Sequence, residues 1–262
     1  MPSSARTTTR FLLLALALIA TRGVDAGSTS SSGGLCSGSS NNWFSRLFCR
    51  GSNSDDASCP TITTVSPFDL SAYVESHPWY VQQQQPNGYQ PIESLFCVRA
   101  AYAFEDEEKT TVSVLNTAND NGVDGPSRNA RGMLLRAVVP DPSDPSKLAV
   151  GPRFVPKAAY GPYWVVAVGP PTPHGEDDHE GGPGYDWAVI SGGQPNVPGP
   201  TPNTCRTALT GTNGSGLWIF TRSPLPTDEE VLAARDAAVQ MGFDLSEMKP
   251  VVHDGCEYPE LK

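Results

Sequence analysis

Between Trp79 and about Thr221 the apolar residues fall in short runs rich in Val, Tyr, Trp, Phe and Thr, each bounded by Gly, Pro, Asn or Asp. Runs of that length and composition, fenced by turn residues, read as strands. Eight are predicted, over 79–85, 95–104, 110–117, 132–139, 147–155, 163–169, 185–192 and 217–221. Their connections carry turn chemistry, including Pro86-Asn87-Gly88, Asp120-Asn121-Gly122 and the proline-rich stretch 140–145, which suits tight links between neighbouring strands. Eight consecutive hairpin-linked strands make a sandwich or a closed barrel.

The period changes only after the eighth strand. Thr227 and Glu230 form a capping-box pattern, and Pro224 and Pro226 keep a helix from starting earlier. Val231, Ala234, Ala238 and Met241, flanked by Leu232 and Val239, then set an apolar stripe along one face, and Gly242 stops it. A single amphipathic helix after eight strands is expected to lie outside the barrel, with 248–252 adding a short edge strand.

The N-terminal region follows neither pattern. Arg6 and Arg10 precede an unbroken apolar stretch, 11–20, which gives way to small residues ending Val24-Asp25-Ala26. That arrangement is a signal peptide over 1–26. The stretch is about half of the roughly 20 residues a membrane span needs, so a membrane anchor is the weaker alternative. From 27 to 58 the chain is a Ser/Gly/Asn-rich leader, whose composition cannot bury a core of its own. It contains one apolar knot, Trp43, Phe44, Leu47 and Phe48, able to touch a membrane surface or a partner, and more simply read as part of a small loop between Cys36 and Cys49.

Charge and cysteine usage narrow the function classes. The chain carries 18 basic and 28 acidic side chains, a net charge of −10. Removing 1–26 makes it more acidic, since three arginines leave with only one aspartate. Phosphate backbones would be repelled, which excludes nucleic acid as a natural partner. Six cysteines bound for an oxidising compartment read first as disulfides, and counting alone leaves their pairing open. Zinc is disfavoured because no two cysteines have CxxC spacing and no pair of histidines at zinc-ligand spacing accompanies them. The segment 174–180, with two histidines and four acids, is the most metal-like, yet it sits in a Pro/Gly-bounded loop and reads as a solvated acidic loop. No metal and no cofactor is expected. The charged run 105–109 reads as a hairpin tip, and the Gly-rich turns at Gly192-Gly193 and 211–216 lead into no helix that could cradle a phosphate. No GxSxG elbow is present and no Cys has an evident His and acid beside it, so no catalytic residue is assigned. Asn213-Gly214-Ser215 is an N-glycosylation sequon in an expected surface loop.

Taken in order, several segments resemble one family. They are Phe68-Asp69-Leu70-Ser71-Ala72-Tyr73 leading to Trp79-Tyr80, then Cys97-Val98-Arg99-Ala100-Ala101-Tyr102, Val112-Ser113-Val114-Leu115-Asn116 and Pro145-Ser146-Lys147-Leu148-Ala149-Val150. Pro162-Tyr163-Trp164-Val165-Val166, Tyr185-Asp186-Trp187-Ala188-Val189, Leu217-Trp218-Ile219-Phe220-Thr221-Arg222-Ser223-Pro224 and Gly242-Phe243-Asp244 follow. Their order and spacing resemble the lipocalins, and among them the apolipoprotein D and bacterial lipocalin branch. The likeness spans about Cys59 to Tyr258 and makes 59–262 a lipocalin domain. There are two departures: His77 stands where the family's first motif usually has Gly, and the loops 170–184 and 194–216 are longer than the family needs.

The resemblance implies an all-β, eight-stranded antiparallel up-and-down barrel with the C-terminal helix packed outside. It implies bridges Cys97–Cys256 and Cys59–Cys205, which leave Cys36 and Cys49 for each other. By loop entropy the longer bridge could contribute on the order of 5 kcal/mol, less any native strain. It also implies that Arg222 lies across Trp79 at the closed end as scaffold, and that Tyr102, Asn116 and Trp218 face the interior.

For Asn116 and Trp218 strand parity agrees independently, because an eight-stranded barrel is just wide enough for one small ligand and alternate residues line it. Val112, Val114 and Asn116 share one face, and Trp218 and Phe220 share another. The expected ligand-binding set is therefore Tyr102, Val112, Val114, Asn116, Trp218 and Phe220, with core filling as the alternative. Burying about ten methylene equivalents is worth roughly 8 kcal/mol before association costs, a micromolar affinity. The expectation is a secreted carrier, not an enzyme, for a hydrophobic molecule such as a lipid, sterol, isoprenoid, carotenoid-like compound or tetrapyrrole. A lipocalin-fold enzyme acting on its lipid or pigment is one alternative. A surface protein-recognition module with a filled barrel is the other.

Overall fold

The computed structural model describes residues 59–75, 78–128, 134–169 and 184–258. The expected signal peptide, the leader with Cys36, Cys49, Trp43, Phe44, Leu47 and Phe48, His77 and the acidic segment 174–180 lie outside the described residues. The described chain belongs to one compact unit within 53–262.

A short helix, α1 (Leu70–Glu75), opens the domain, and the wall strands follow: β1 (Trp79–Gln84), β2 (Phe96–Phe104), β3 (Thr111–Asn119), β4 (Leu134–Val138), β5 (Lys147–Pro152), β6 (Gly161–Val168) and β7 (Trp187–Ser191). The loop after β7 carries a two-stranded ribbon, β8 (Val197–Pro198) and β9 (Cys205–Arg206), before β10 (Leu217–Thr221), α2 (Asp228–Gln240) and β11 (Lys249–Pro250). Each wall strand pairs antiparallel with its predecessor, and β10 pairs with both β7 and β1. The sheet therefore closes into the expected eight-stranded barrel, which leaves no free wall edge. Bulges at Val81/Gln83, Phe96/Arg99 and Val165/Ala167 bend the strands that must curve.

The expected strands are all present, with shifted ends. The run expected over 147–155 stops at Pro152 and continues as a 3-10 turn, Lys157–Ala159. The expected 110–117 run extends to Asn119, because Asn119 pairs with Phe96 beyond the bulge.

Alternation divides the apolar residues between two cores. Ala188, Ile190 and Phe220 belong to the cluster inside the barrel, while Val189, Leu217 and Ile219 belong to a second cluster outside it with Ala234 and Ala238 of α2. Strands β7 and β10 thus lack a polar face and read as continuous apolar runs because both their sides are covered. Helix α2 forms as its sequence predicts. The Glu230 N–H donates to the Thr227 hydroxyl at 3.3 Å and the Thr227 N–H to the Glu230 carboxylate at 2.7 Å, while three acids occupy the first turn. Ala234 and Ala238 are fully buried and Leu232 and Val239 exposed. Gly242, at φ 90°, takes the left-handed conformation that ends the helix.

Two disulfides staple the described domain, Cys97–Cys256 and Cys59–Cys205. The first ties β2 to the C-terminal tail, and the second ties the start of the domain to β9. The tail is also held by His253, whose Nε2 pairs with the Val81 carbonyl at 2.8 Å. Helix α1 was not anticipated. Its start is fixed by Asp69, whose carboxylate accepts the Ala72 N–H at 3.1 Å, but six residues are too few to display a helical period.

Candidate functional site

One end of the barrel is shut by α1 and the residues that fasten it. Trp79 is fully buried, and its indole N–H donates to the Tyr73 carbonyl at 3.1 Å. The Arg222 guanidinium lies 3.4 Å over the Trp79 ring and donates to the carbonyls of Ala72 (3.3 Å), Tyr73 (3.2 Å) and Tyr185 (3.0 Å). Burial works against the guanidinium charge, and the aromatic face and carbonyl oxygens replace the lost water. Asp69 adds a further tie, its N–H donating to the Tyr185 hydroxyl at 2.8 Å.

Directly inside this floor three tyrosines meet. The Tyr163 hydroxyl shares hydrogen bonds with those of Tyr73 (2.6 Å) and Tyr102 (2.9 Å). One residue comes from α1, one from β2 and one from β6. Removal from water raises all three above the ordinary tyrosine range, Tyr102 to about 12, so the trio is neutral at physiological pH. Beside it lies a cavity of about 20 Å³ lined by Leu70, Tyr73, Tyr102, Val112, Val114 and Tyr163, among others. That is room for about one water, far below the roughly 300 Å³ at which drug-sized sites begin.

The structure places the expected ligand-binding residues as follows. Tyr102, Val112 and Val114 are buried in the inner cluster and line the cavity; Phe220 is buried in the same cluster and Trp218 packs against it. Asn116 stands opposite Ala100 with inward parity, yet it is exposed and does not line the cavity. Tyr73, Tyr163 and Leu148 were not anticipated. Tyr163 was accessible to parity reasoning, since it pairs with Leu148, whereas Tyr73 enters from a helix that the pattern does not announce.

A further inward group stands out among four consecutive glutamines. Gln82 donates to the Thr221 hydroxyl (2.9 Å), Gln83 accepts from Arg235, and Gln85 donates to the Thr207 carbonyl (2.7 Å). Gln84 is fully buried, and neither its amide nitrogen nor its amide oxygen has a partner. In the register it faces Trp218, and directly paired residues project to the same side of a sheet. A buried amide left without hydrogen bonds is worth about 1–3 kcal/mol of lost stability.

Among the described residues no cluster of His, Cys, Asp and Glu could hold a metal, and no helix is long and apolar enough to cross a membrane. All four described cysteines are engaged in disulfides. Asn213 is exposed in the turn before β10.

No protein-family model matches the chain, and no curated protein matches it. Among solved structures the chain is similar to lobster apocrustacyanin A1, with 18% identity and a TM-score of 0.43 over 75% of this chain and 91% of that one. It is similar to insecticyanin from the tobacco hornworm Manduca sexta, with 18% identity and a TM-score of 0.45 over 76% and 89%. It is also similar to the amine binding protein of Rhodnius prolixus, whose structure is a tryptamine complex, with 12% identity and a TM-score of 0.43 over 77% and 91%.

Proposed function

We propose that the chain is a lipocalin-type carrier, of the apolipoprotein D and bacterial branch in the order of its motifs, that shelters a small hydrophobic molecule inside the barrel and releases it unchanged. Gln84 carries the reading. A solid core gains nothing from an unpaired amide, whereas a guest with a hydrogen-bonding group would satisfy it. Trp218 and Phe220 supply apolar walls on that face, and Tyr102, Val112 and Val114 continue the lining toward the floor. Asn116 offers a polar contact nearer solvent. Trp79 and Arg222 are scaffold. Because the free cavity is about 20 Å³, a guest of ten or more heavy atoms enters by displacing side chains, so binding is accompanied by repacking of the interior.

The expected signal peptide over 1–26 and the disulfides support export through the secretory route. They also weigh against a thiol enzyme, since Cys97 is bonded to Cys256. The small cavity favours one other reading, a recognition module whose barrel is filled and whose long loops bind a protein.

Native mass spectrometry of protein purified from its source, with extraction and identification of whatever co-purifies, decides between them. The expected result is a stoichiometric apolar adduct with a polar end. An adduct-free protein whose Trp218 fluorescence no apolar ligand quenches would leave the recognition module.

A further inference from the structure

Outside the barrel, on the wall made by β5 and β6, lies a groove of about 730 Å³, within the size range of small-molecule sites. The register sets Lys147 opposite Trp164 and Ala149 opposite Pro162, the outward parity of strands whose Leu148 and Tyr163 face inward. The rest of the lining comes from Tyr160 and from segments 140–144, 193–196 and 213–214. The surface thus combines an indole and proline rings with carboxylates and carboxamides. That mixture suits a sugar ring, which presents C–H groups on one face and hydroxyls around its edge.

Two observations point to an occupant. The Trp164 ring lines the groove with the Lys147 ammonium 5.6 Å from its centroid, and Tyr160 lines it while its hydroxyl stays buried. Asn213, the acceptor of the sequon Asn213-Gly214-Ser215, is exposed and lies on the groove's edge. Its position is fixed, because the Gly214 N–H donates to the Gly192 carbonyl at 2.8 Å and the Gly214 carbonyl accepts from Ala208 at 2.6 Å. Gly214 adopts φ 69°, and a side-chain carbon at Gly193 would come within 3.1 Å of its nitrogen, so both glycines hold this turn against the groove.

We propose that Asn213 carries an N-linked glycan whose first sugars lie in this groove, packed against Trp164 beside the Lys147 ammonium. The inference rests on the secretory route proposed above. The donor is a lipid-pyrophosphate-linked oligosaccharide of the secretory lumen. The Asn213 amide nitrogen attacks the anomeric carbon, the bond from that carbon to the pyrophosphate oxygen breaks, the carbon–nitrogen bond forms, and the amide proton leaves with the lipid pyrophosphate. Ser215 takes part in recognition of the sequon, and its hydroxyl is buried in the folded domain. The transfer therefore precedes closure of the barrel.

The test is to express the full chain in a eukaryotic secreting cell, recover it from the medium, and map the 213 peptide by mass spectrometry before and after enzymatic removal of N-glycans. Hydroxyl-radical footprinting then compares Trp164 in the glycosylated protein, the enzymatically deglycosylated protein and Asn213→Gln. A glycan at Asn213 is expected, with Trp164 oxidised at least threefold more slowly when it is present. Secreted protein lacking the glycan overturns this proposal alone, and a chain that is not exported overturns the secretory reading with it. A glycan that leaves Trp164 oxidation unchanged refutes its seating in the groove. Enzymatic removal from folded protein keeps the comparison valid if Asn213→Gln fails to fold.

Discussion

Replacement of Arg222 by Ala separates scaffold from site. The guanidinium contributes a stacked contact with Trp79 at 3.4 Å and hydrogen bonds to three carbonyls. A largely desolvated cation–π contact is worth about 2 kcal/mol. The Tyr73 carbonyl keeps the Trp79 N–H as a partner, so two carbonyls, of Ala72 and Tyr185, lose theirs, at about 1 kcal/mol each or somewhat more. Against these stands relief from holding a charge in a dry site, with one guanidinium nitrogen already unpartnered. The net expectation is a loss of about 3 kcal/mol, which for a domain of this size lowers Tm by roughly 6–12 °C. Thermal melts followed by near-ultraviolet circular dichroism report Tm. Titration with a spin-labelled fatty acid, read by Trp218 quenching well below Tm, reports binding. Affinity is expected to change by less than about twofold. An unchanged Tm with abolished quenching would refute the scaffold assignment, and an Arg222→Met variant more stable than the parent would show that the charge is a net liability at that position.

Gln84→Met removes the unpaired amide at nearly constant volume and is expected to raise the stability of ligand-free protein by about 1–3 kcal/mol in urea unfolding while weakening binding of polar-headed guests; lower stability would mean that the amide is satisfied. Burial raises all three tyrosines of the trio above the unfolded value near pH 10, Tyr102 to about 12, so their contribution to stability is complete below that pH and is lost as pH climbs through the raised folded-state values. Absorbance titration of phenolate should show these three among the tyrosines that ionise only as the protein unfolds in alkali, with Tyr89 and Tyr258 also raised by burial, and a fully reversible titration of all tyrosines near pH 10 in folded protein would contradict the geometry. Thr227→Ala removes the capping box and should cost about 1 kcal/mol; because α2 covers β6, β7 and β10, the loss is expected in global unfolding, and local fraying of the helix alone would argue against that packing.

Wherever one physical constraint acts on consecutive residues, the sequence was legible. Short runs rich in β-branched and aromatic residues, fenced by turn residues, placed eight strands, since both signals act on neighbouring positions of one segment. Thr227, Glu230 and Gly242 marked both ends of α2, because capping is a contact between near neighbours. The two described disulfides came from the family likeness, whose motif order holds the cysteines in position. Parity likewise put Val112, Val114, Trp218 and Phe220 on the inner face, and the family likeness put Tyr102 there.

What the sequence could not carry were relations between residues far apart along the chain. The tyrosine trio joins positions 73, 102 and 163, and helix α1 is too short to show a period and is held by Arg222 and Tyr185. Four successive glutamines look alike until the fold supplies partners to three and denies them to Gln84. Alternation tells which face a side chain takes but not how far the opposite wall stands from it. The width of the interior, the cavity left in it and the groove outside Trp164 were decided only when the barrel closed and the loops folded against it.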